Sequence, residues 1–300
     1  MKAAIKYILI WLILTVAVFT MCFTVGSVVM DVSDMNNAND LAKNPWLLAI
    51  SLACADVLLL LLFWKRKYTR NWVNYGFTYG EEFSTAKLCL WAVVGAIGCL
   101  LLEVLAQEYV PVPVDLETAE WLGMLMMNPI GVVSVCLIGP LAEEAIFRGA
   151  IERRLLEKKW NPWFAIVISA VFFAVAHGNF GQAMTAIIMG CFMGWIYYRT
   201  RCIMPCFLVH AVNNTTAVVV SLAMAESMGE MSAEKMGVPL TVGIPLIVAS
   251  LILIYVAARH IGKITDDRTP IPVPVDEVLP PPLPPMETGN PLPPEIEPQD

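Results

Sequence analysis

Uninterrupted apolar runs recur along almost the whole of this 300-residue chain. They lie near 5–30, 46–64, 88–106, 121–138, 141–157, 162–177, 183–198, 203–224 and 238–258. A helix needs ~20 such residues to cross ~30 Å of hydrocarbon, and only helices and closed barrels satisfy their own backbone there. Gly139-Pro140 separates the fourth run from the fifth, and Glu143, Glu144, Arg148 and Glu152 punctuate the fifth. These two runs therefore read as one broken crossing from about Ile130 to about Leu155. The expectation is an all-α, polytopic membrane domain over 1–265 with about eight transmembrane helices. Composition agrees, since 58% of residues are hydrophobic, 15% are charged and the mean hydropathy is +0.66. One soluble core could not hide that much apolar surface, which excludes an ordinary water-soluble enzyme.

Charge sets the orientation. Basic residues favour the cytosolic side, and the first run begins with Lys2 and Lys6. It is too long for a signal-peptide core and no small-residue cleavage site follows, so it reads as a retained anchor. Alternating crossings then put 65–87, 148–159, 199–201 and 259–268 inside. Those segments and the N-terminus hold 17 of the 19 bases, leaving Lys43 and Lys235 outside. The other loops are acidic, with Asp31, Asp34, Asp40, Glu117, Glu120 and Glu230 among them. The sequence thus predicts a multi-pass protein of the cell membrane with both termini cytosolic.

The end of the chain is a different polymer. Twelve of the 21 prolines lie between Pro270 and Pro298, and residues 266–300 carry eight acids against Arg268 alone. That stretch holds the entire net charge of −7. A segment so poor in large apolar residues reads as a disordered, cytosolic, proline-rich tail, with Pro-x-x-Pro docking to a partner as its alternative role. The remainder is neutral overall, so nothing points to nucleic acid. The eight cysteines fall in or beside apolar runs and form no Cys-x-x-Cys pair; they read as small buried hydrophobes.

Ionisable groups inside hydrocarbon are expensive and mark function. The runs hold few: Asp56, Glu103, Glu143, Glu144, Arg148, His177 and His210. Glu144 and Arg148 stand four apart on one helical face, acid first, the favourable order for a pair. Glu143 is rotated ~100° from them and can face a cavity. A carboxylate without a counter-ion there suits general-base work on water; a buried ion-pair cluster stapling helices is the bland alternative. His177 follows Phe173 by one turn, and His210 precedes Asn214 by one turn. Two imidazoles and a carboxylate could hold zinc. Equally, the imidazoles could hydrogen-bond a polarised carbonyl while Asn214 donates its amide to the oxyanion. Spacing leaves both open. Glu103, near an outer end, is expected to snorkel; Asp56, in mid-crossing, reaches the cavity or a buried partner. Gly190 and Gly194 permit close helix packing within the fold.

Glu-Glu-x-x-x-Arg at 143–148, Phe-x-x-x-His at 173–177 and His-x-x-x-Asn at 210–214, in this order on successive helices, resemble the CPBP family of intramembrane proteases. That family includes CAAX prenyl protease 2 and the bacteriocin-processing or Abi proteases. The resemblance covers about Ile130 to Val220 and leaves the tail unexplained. It implies hydrolysis of a peptide bond inside the membrane, near its cytosolic side, on a peptide, prenylated or membrane-protein substrate amid lipid. It further implies that Glu143 and His177 activate water, that His210 and Asn214 stabilise the oxyanion, and that Glu144 and Arg148 support Glu143. One divalent metal, zinc, on Glu143, His177 and His210 is one form of this chemistry. A metal-free form is the other, favoured by the lack of a His-Glu-x-x-His helix. Two other classes compete: a transporter relaying protons or substrate through the buried acids and histidines, and a non-catalytic relative serving as a scaffold. Depth tests the assembly. Glu143 and His210 each lie ~10 Å from the cytosolic side, whereas His177 lies ~22 Å deep. His177 thus requires a tilted, re-entrant or differently bounded helix.

Overall fold

The computed structural model describes residues 2–29, 41, 43–64, 77–78, 83–110, 116–227, 237–266 and 269–270. Among these, the chain forms nine helices: α1 (Lys2–Val29), α2 (Pro45–Trp64), α3 (Thr85–Tyr109), α4 (Leu116–Met126), α5 (Pro129–Glu157), α6 (Pro162–Ala176), α7 (Phe180–Thr200), α8 (Ile203–Ser227) and α9 (Leu240–Ile264). The only strands among the described residues are the pairs Phe77–Thr78 and Thr269–Pro270, joined antiparallel. The acidic proline-rich tail lies outside the described residues beyond Pro270.

Seven helices are long and apolar enough to cross a membrane: α1, α2, α3, α5, α7, α8 and α9. The eighth expected crossing is the exception. Helix α6 has 15 residues, which rise only ~22 Å, short of ~30 Å of hydrocarbon. Gly178, at φ +66°, turns the chain directly back into α7, so α6 and α7 form a tight hairpin with His177 at its tip. The outer faces are apolar: Ile13, Leu61, Val171 and Leu251 are all exposed. Water would not tolerate such a coat, whereas lipid requires it. The chain is a multi-pass, all-α membrane protein.

Asparagines set where the site helices begin. Asn128 accepts from Gly131 N at 2.9 Å ahead of α5, Asn161 from Trp163 N at 3.0 Å ahead of α6, and Asn179 from Gln182 N at 3.0 Å ahead of α7. Each side chain satisfies an orphan N–H of a first turn, and Pro129 and Pro162 occupy first positions where no N–H is missed. Helix α5 is broken, as Gly139-Pro140 suggested, but by widening: Ser134–Ile138 and Phe147–Glu152 are π-helical. It packs against α2, α6 and α8, while α9 lies along α3 and α6 along α7. The glycine pair serves that last contact. A Cβ on Gly190 would meet Ala170 at 3.1 Å, and one on Gly194 would meet Ile166 at 3.1 Å.

Side-chain bonds identify which helix ends lie together. Arg199, at the end of α7, donates to Gly262 O (2.8 Å) in the last turn of α9 and to Thr265 Oγ1 (2.9 Å) and Asp266 Oδ1 (2.6 Å) just after it. At the opposite end, Tyr109 OH donates to Val238 O at 3.1 Å, and Lys43 pairs with Glu120 at 2.8 Å. This grouping is the one that alternating passages demand when the α6–α7 hairpin is counted as going in and coming back on one side.

Candidate active site

The site is built on α5 from its π-helical turns. In the first of them Gly139 N–H bonds Ser134 O, five residues back. The next carbonyl, Val135 O, would take its bond from residue 140, which is proline and has no N–H. Asn214 of α8 fills the gap, donating from Nδ2 to Val135 O at 2.9 Å. A broken helix and a distant asparagine are thus one device, and it ties α8 to α5 beside Glu143. The second π turn is tied likewise, with Ser169 Oγ of α6 donating to Phe147 O at 3.0 Å.

The two adjacent acids part company as the helical rotation requires. Glu144 is fully buried and Glu143 is 28% exposed on its side chain. Glu144 Oε1 accepts from Arg148 Nη1 at 2.9 Å, and the guanidinium also donates from Nη2 to Gly190 O at 3.0 Å. Its plane lies over the Phe173 ring, 4.8 Å from the centroid, where the aromatic face attracts a cation. A planar fork that bonds two groups and stacks on a third is a task for arginine rather than lysine.

Glu144 Oε1 also stands 3.1 Å from His210 Nδ1. A carboxylate only accepts, which assigns a proton to Nδ1, and Nε2 stands 3.7 Å from Glu143 Oε2, a second acceptor that favours a proton there too, as an imidazolium. The Glu144–Arg148 pair therefore braces His210 directly. His177 caps α6, and its Nδ1 stands 2.8 Å from Phe173 O, so Nδ1 donates and Nε2 is left as acceptor. Phe173 sits edge-on to both imidazoles, 4.8 Å from His177 and 5.4 Å from His210. Helical side chains lean toward the N-terminus, and the His177 ring folds back one turn along α6 beside Phe173, which recovers ~5 Å of the ~12 Å difference in depth.

Glu143, His177, His210 and Asn214 all line one cavity of about 520 Å³. A second, of about 530 Å³, reaches α4 at Thr118 and Trp121 and shares Glu143 and His177 with the first. Asn214 is partly committed: one amide N–H goes to Val135 O, while Oδ1 accepts from Asn213 Nδ2 at 3.3 Å. One N–H of its amide remains for a ligand. Among the described residues no group of three His, Cys, Asp or Glu side chains stands close enough as placed to hold a metal ion. Glu143, His177 and His210 are the donors that one divalent ion, zinc, would use.

One sequence expectation is overturned. Glu103 does not snorkel; it is 6% exposed, and its Oε1 has no hydrogen-bond partner among the described residues. Its helix packs against α8 and α9, which close over the position that lipid or water would otherwise reach. Asp56, left between two roles, is buried against α5 and lines the cavity. The bonding roles of the Gly190 and Val135 carbonyls are not readable from spacing. Pro140 inside a helical run is the signal that a carbonyl near position 135 needs an outside donor.

Residues 125–216 match the family described as type II CAAX prenyl endopeptidase Rce1-like. The chain is 29% identical over 201 residues to "Putative membrane peptidase YdiL" of Bacillus subtilis (strain 168), covering 65% of this chain and 79% of that protein. It is 28% identical over 168 residues to "Membrane-embedded CAAX protease MroQ" of Staphylococcus aureus (strain USA300), covering 54% of this chain and 62% of that protein. No solved structure matches significantly.

Proposed function

We propose that the chain, whose residues 125–216 match the type II CAAX prenyl endopeptidase Rce1-like family, is a CAAX-protease-like membrane peptidase that hydrolyses a peptide bond with water activated by Glu143 and His177. The observation that carries this reading is the contrast between neighbours: Glu144 is fully buried and bonded to Arg148, while Glu143 meets the cavity with His210 Nε2 at 3.7 Å.

The chemistry runs on the chain's own groups. Glu143 takes a proton from water held between its carboxylate and His177 Nε2, and the hydroxide adds to the scissile carbonyl carbon. Negative charge then develops on the carbonyl oxygen. His210, protonated at Nε2 and held at Nδ1 by Glu144, donates to that oxygen with the remaining amide N–H of Asn214. Glu143 returns its proton to the leaving nitrogen as the C–N bond breaks, giving one carboxyl and one amine product. No step passes through a metal. The substrate class is a membrane or prenylated protein segment, cut near the cytosolic face.

Cleavage of a lipid-embedded peptide in heavy-oxygen water tests this directly. Hydrolysis places one heavy oxygen in the new C-terminal carboxyl in the first turnover; a product without it contradicts water attack. Metal content and chelator response of the same sample test the zinc form. Full activity without stoichiometric metal agrees with the scheme above, and loss on chelation with rescue by zinc replaces it.

A further inference from the structure

Helix α8 brings two adjacent asparagines, Asn213 and Asn214, to the 520 Å³ cavity, and hydrolysis as proposed uses only the second. Val135 O is a backbone carbonyl and can only accept. The Asn214 group that meets it at 2.9 Å is therefore the amide nitrogen. Asn214 Oδ1 is then the atom that stands 3.3 Å from Asn213. An amide oxygen also only accepts, so the Asn213 atom facing it is Nδ2, a donor. Partners of this kind are what tell the two ends of an amide apart. Here the order of assignment starts from Pro140, which leaves Val135 O free; that carbonyl orients Asn214, and Asn214 orients Asn213.

The two bonds to Asn214 do different things. A single hydrogen bond at Nδ2 leaves the amide free to pivot about that contact. A second bond, at Oδ1, fixes the plane of the amide and with it the direction of the one N–H that remains. Oxyanion donors act by being aimed before charge develops, and small errors of aim are costly. Folding alone does not call for Asn213. Its own Oδ1 is buried with no hydrogen-bond partner among the described residues, an arrangement that costs stability and that an apolar residue of similar size would avoid. Its place fits a role in the site: His210, Asn213 and Asn214, spaced three and four apart, share one face of α8 and line the same cavity.

We propose that Asn213 is a positioning residue for the oxyanion: by holding Asn214 Oδ1 it fixes the amide plane, so that the free N–H of Asn214 points at the scissile carbonyl oxygen. This rests on the peptidase reading above and adds a residue to it. Asn213 itself touches no reacting atom. The aim of the N–H matters most as the carbonyl oxygen gains charge, so Asn213 acts on kcat and leaves KM alone.

Turnover of one lipid-embedded substrate peptide separates this role from a structural one. The full-length protein in nanodiscs is compared as wild type, Asn213→Leu, Asn214→Ala and the double variant, with thermal unfolding measured on each. Leucine is close to asparagine in shape and has no donor. Asn213→Leu is expected to lower kcat ~10-fold or more, to leave KM unchanged and to unfold no earlier than wild type. In the Asn214→Ala background the same substitution is expected to change kcat by less than ~2-fold, because the amide it holds is gone. Should Asn213→Leu not fold, Asn213→Asp, an isostere without a donor, takes its place; failure of both to fold assigns the residue to the fold and overturns the proposal. Should Asn214→Ala show no turnover, a peptide with sulfur in place of the scissile carbonyl oxygen replaces that background. Sulfur is the weaker acceptor, and Asn213→Leu must cost less on it than on the amide. Unchanged kcat, an effect confined to KM, or equal losses in the two backgrounds or on the two peptides overturns the positioning role and keeps the peptidase. Absence of cleavage by wild type removes the peptidase reading, and the proposal with it.

Discussion

Three groups converge on the Arg148 guanidinium, namely the Glu144 carboxylate, the Gly190 carbonyl and the face of Phe173. All of this happens with the arginine fully buried. Removing the cation would leave Glu144 charged in an apolar interior and release His210 from its orienting partner. Arg148→Ala is therefore expected to cost ~3–5 kcal/mol of stability, read as an early thermal unfolding transition in detergent. Arg148→Lys should recover only part of it, because a point charge can pair with Glu144 but cannot also stack on Phe173 and reach Gly190. Full rescue by lysine would mean that charge alone matters here. The Glu144–Arg148 pair was legible from its spacing of four residues, and so was the different outlook of Glu143. The partner of Glu144 across the fold, His210, was not, because a bond between residues 66 apart depends on how α8 packs against α5.

At the scale of elements, the π turns of α5 govern what its neighbours must supply. Val135 O lacks a backbone donor because position 140 is proline, and Asn214 provides one. Asn214→Ala should cost ~1–3 kcal/mol for the unsatisfied carbonyl. In a Pro140→Ala background, residue 140 regains an N–H and the same substitution should cost ~1 kcal/mol less. A double-mutant cycle measured by denaturation reads that coupling, and strict additivity would contradict the assignment. The break in α5 was visible in the sequence because glycine and proline punctuate helices. Its form, a widened ladder rather than a hinge, follows from side chains on α6 and α8 that no local pattern predicts. The same holds for α6, whose apolar run reads as a crossing while Gly178 ends it early, and for Glu103, whose burial depends on α8 and α9 closing over α3.

For the whole molecule, the positions of the long helices were readable because hydrocarbon thickness imposes one length on every crossing. The grouping of their ends was readable from charge, and Arg199 with Asp266 at one end and Lys43 with Glu120 at the other agree with it. Sidedness is the remaining prediction. A reporter active only in the cytosol should work when fused after Asp300 and fail when inserted beside Lys43; the reverse pattern would invert the molecule and move the site relative to the cytosol. Hydrolysis as proposed turns on one half-buried carboxylate, Glu143, beside one imidazole. Its most direct test is the kcat/KM of purified wild type and Glu143→Gln on one lipid-embedded substrate peptide, with matched thermal unfolding as the folding control. Water activation by Glu143 predicts a fall of ~10³-fold or more with stability preserved, and equal activity in the two proteins would contradict it.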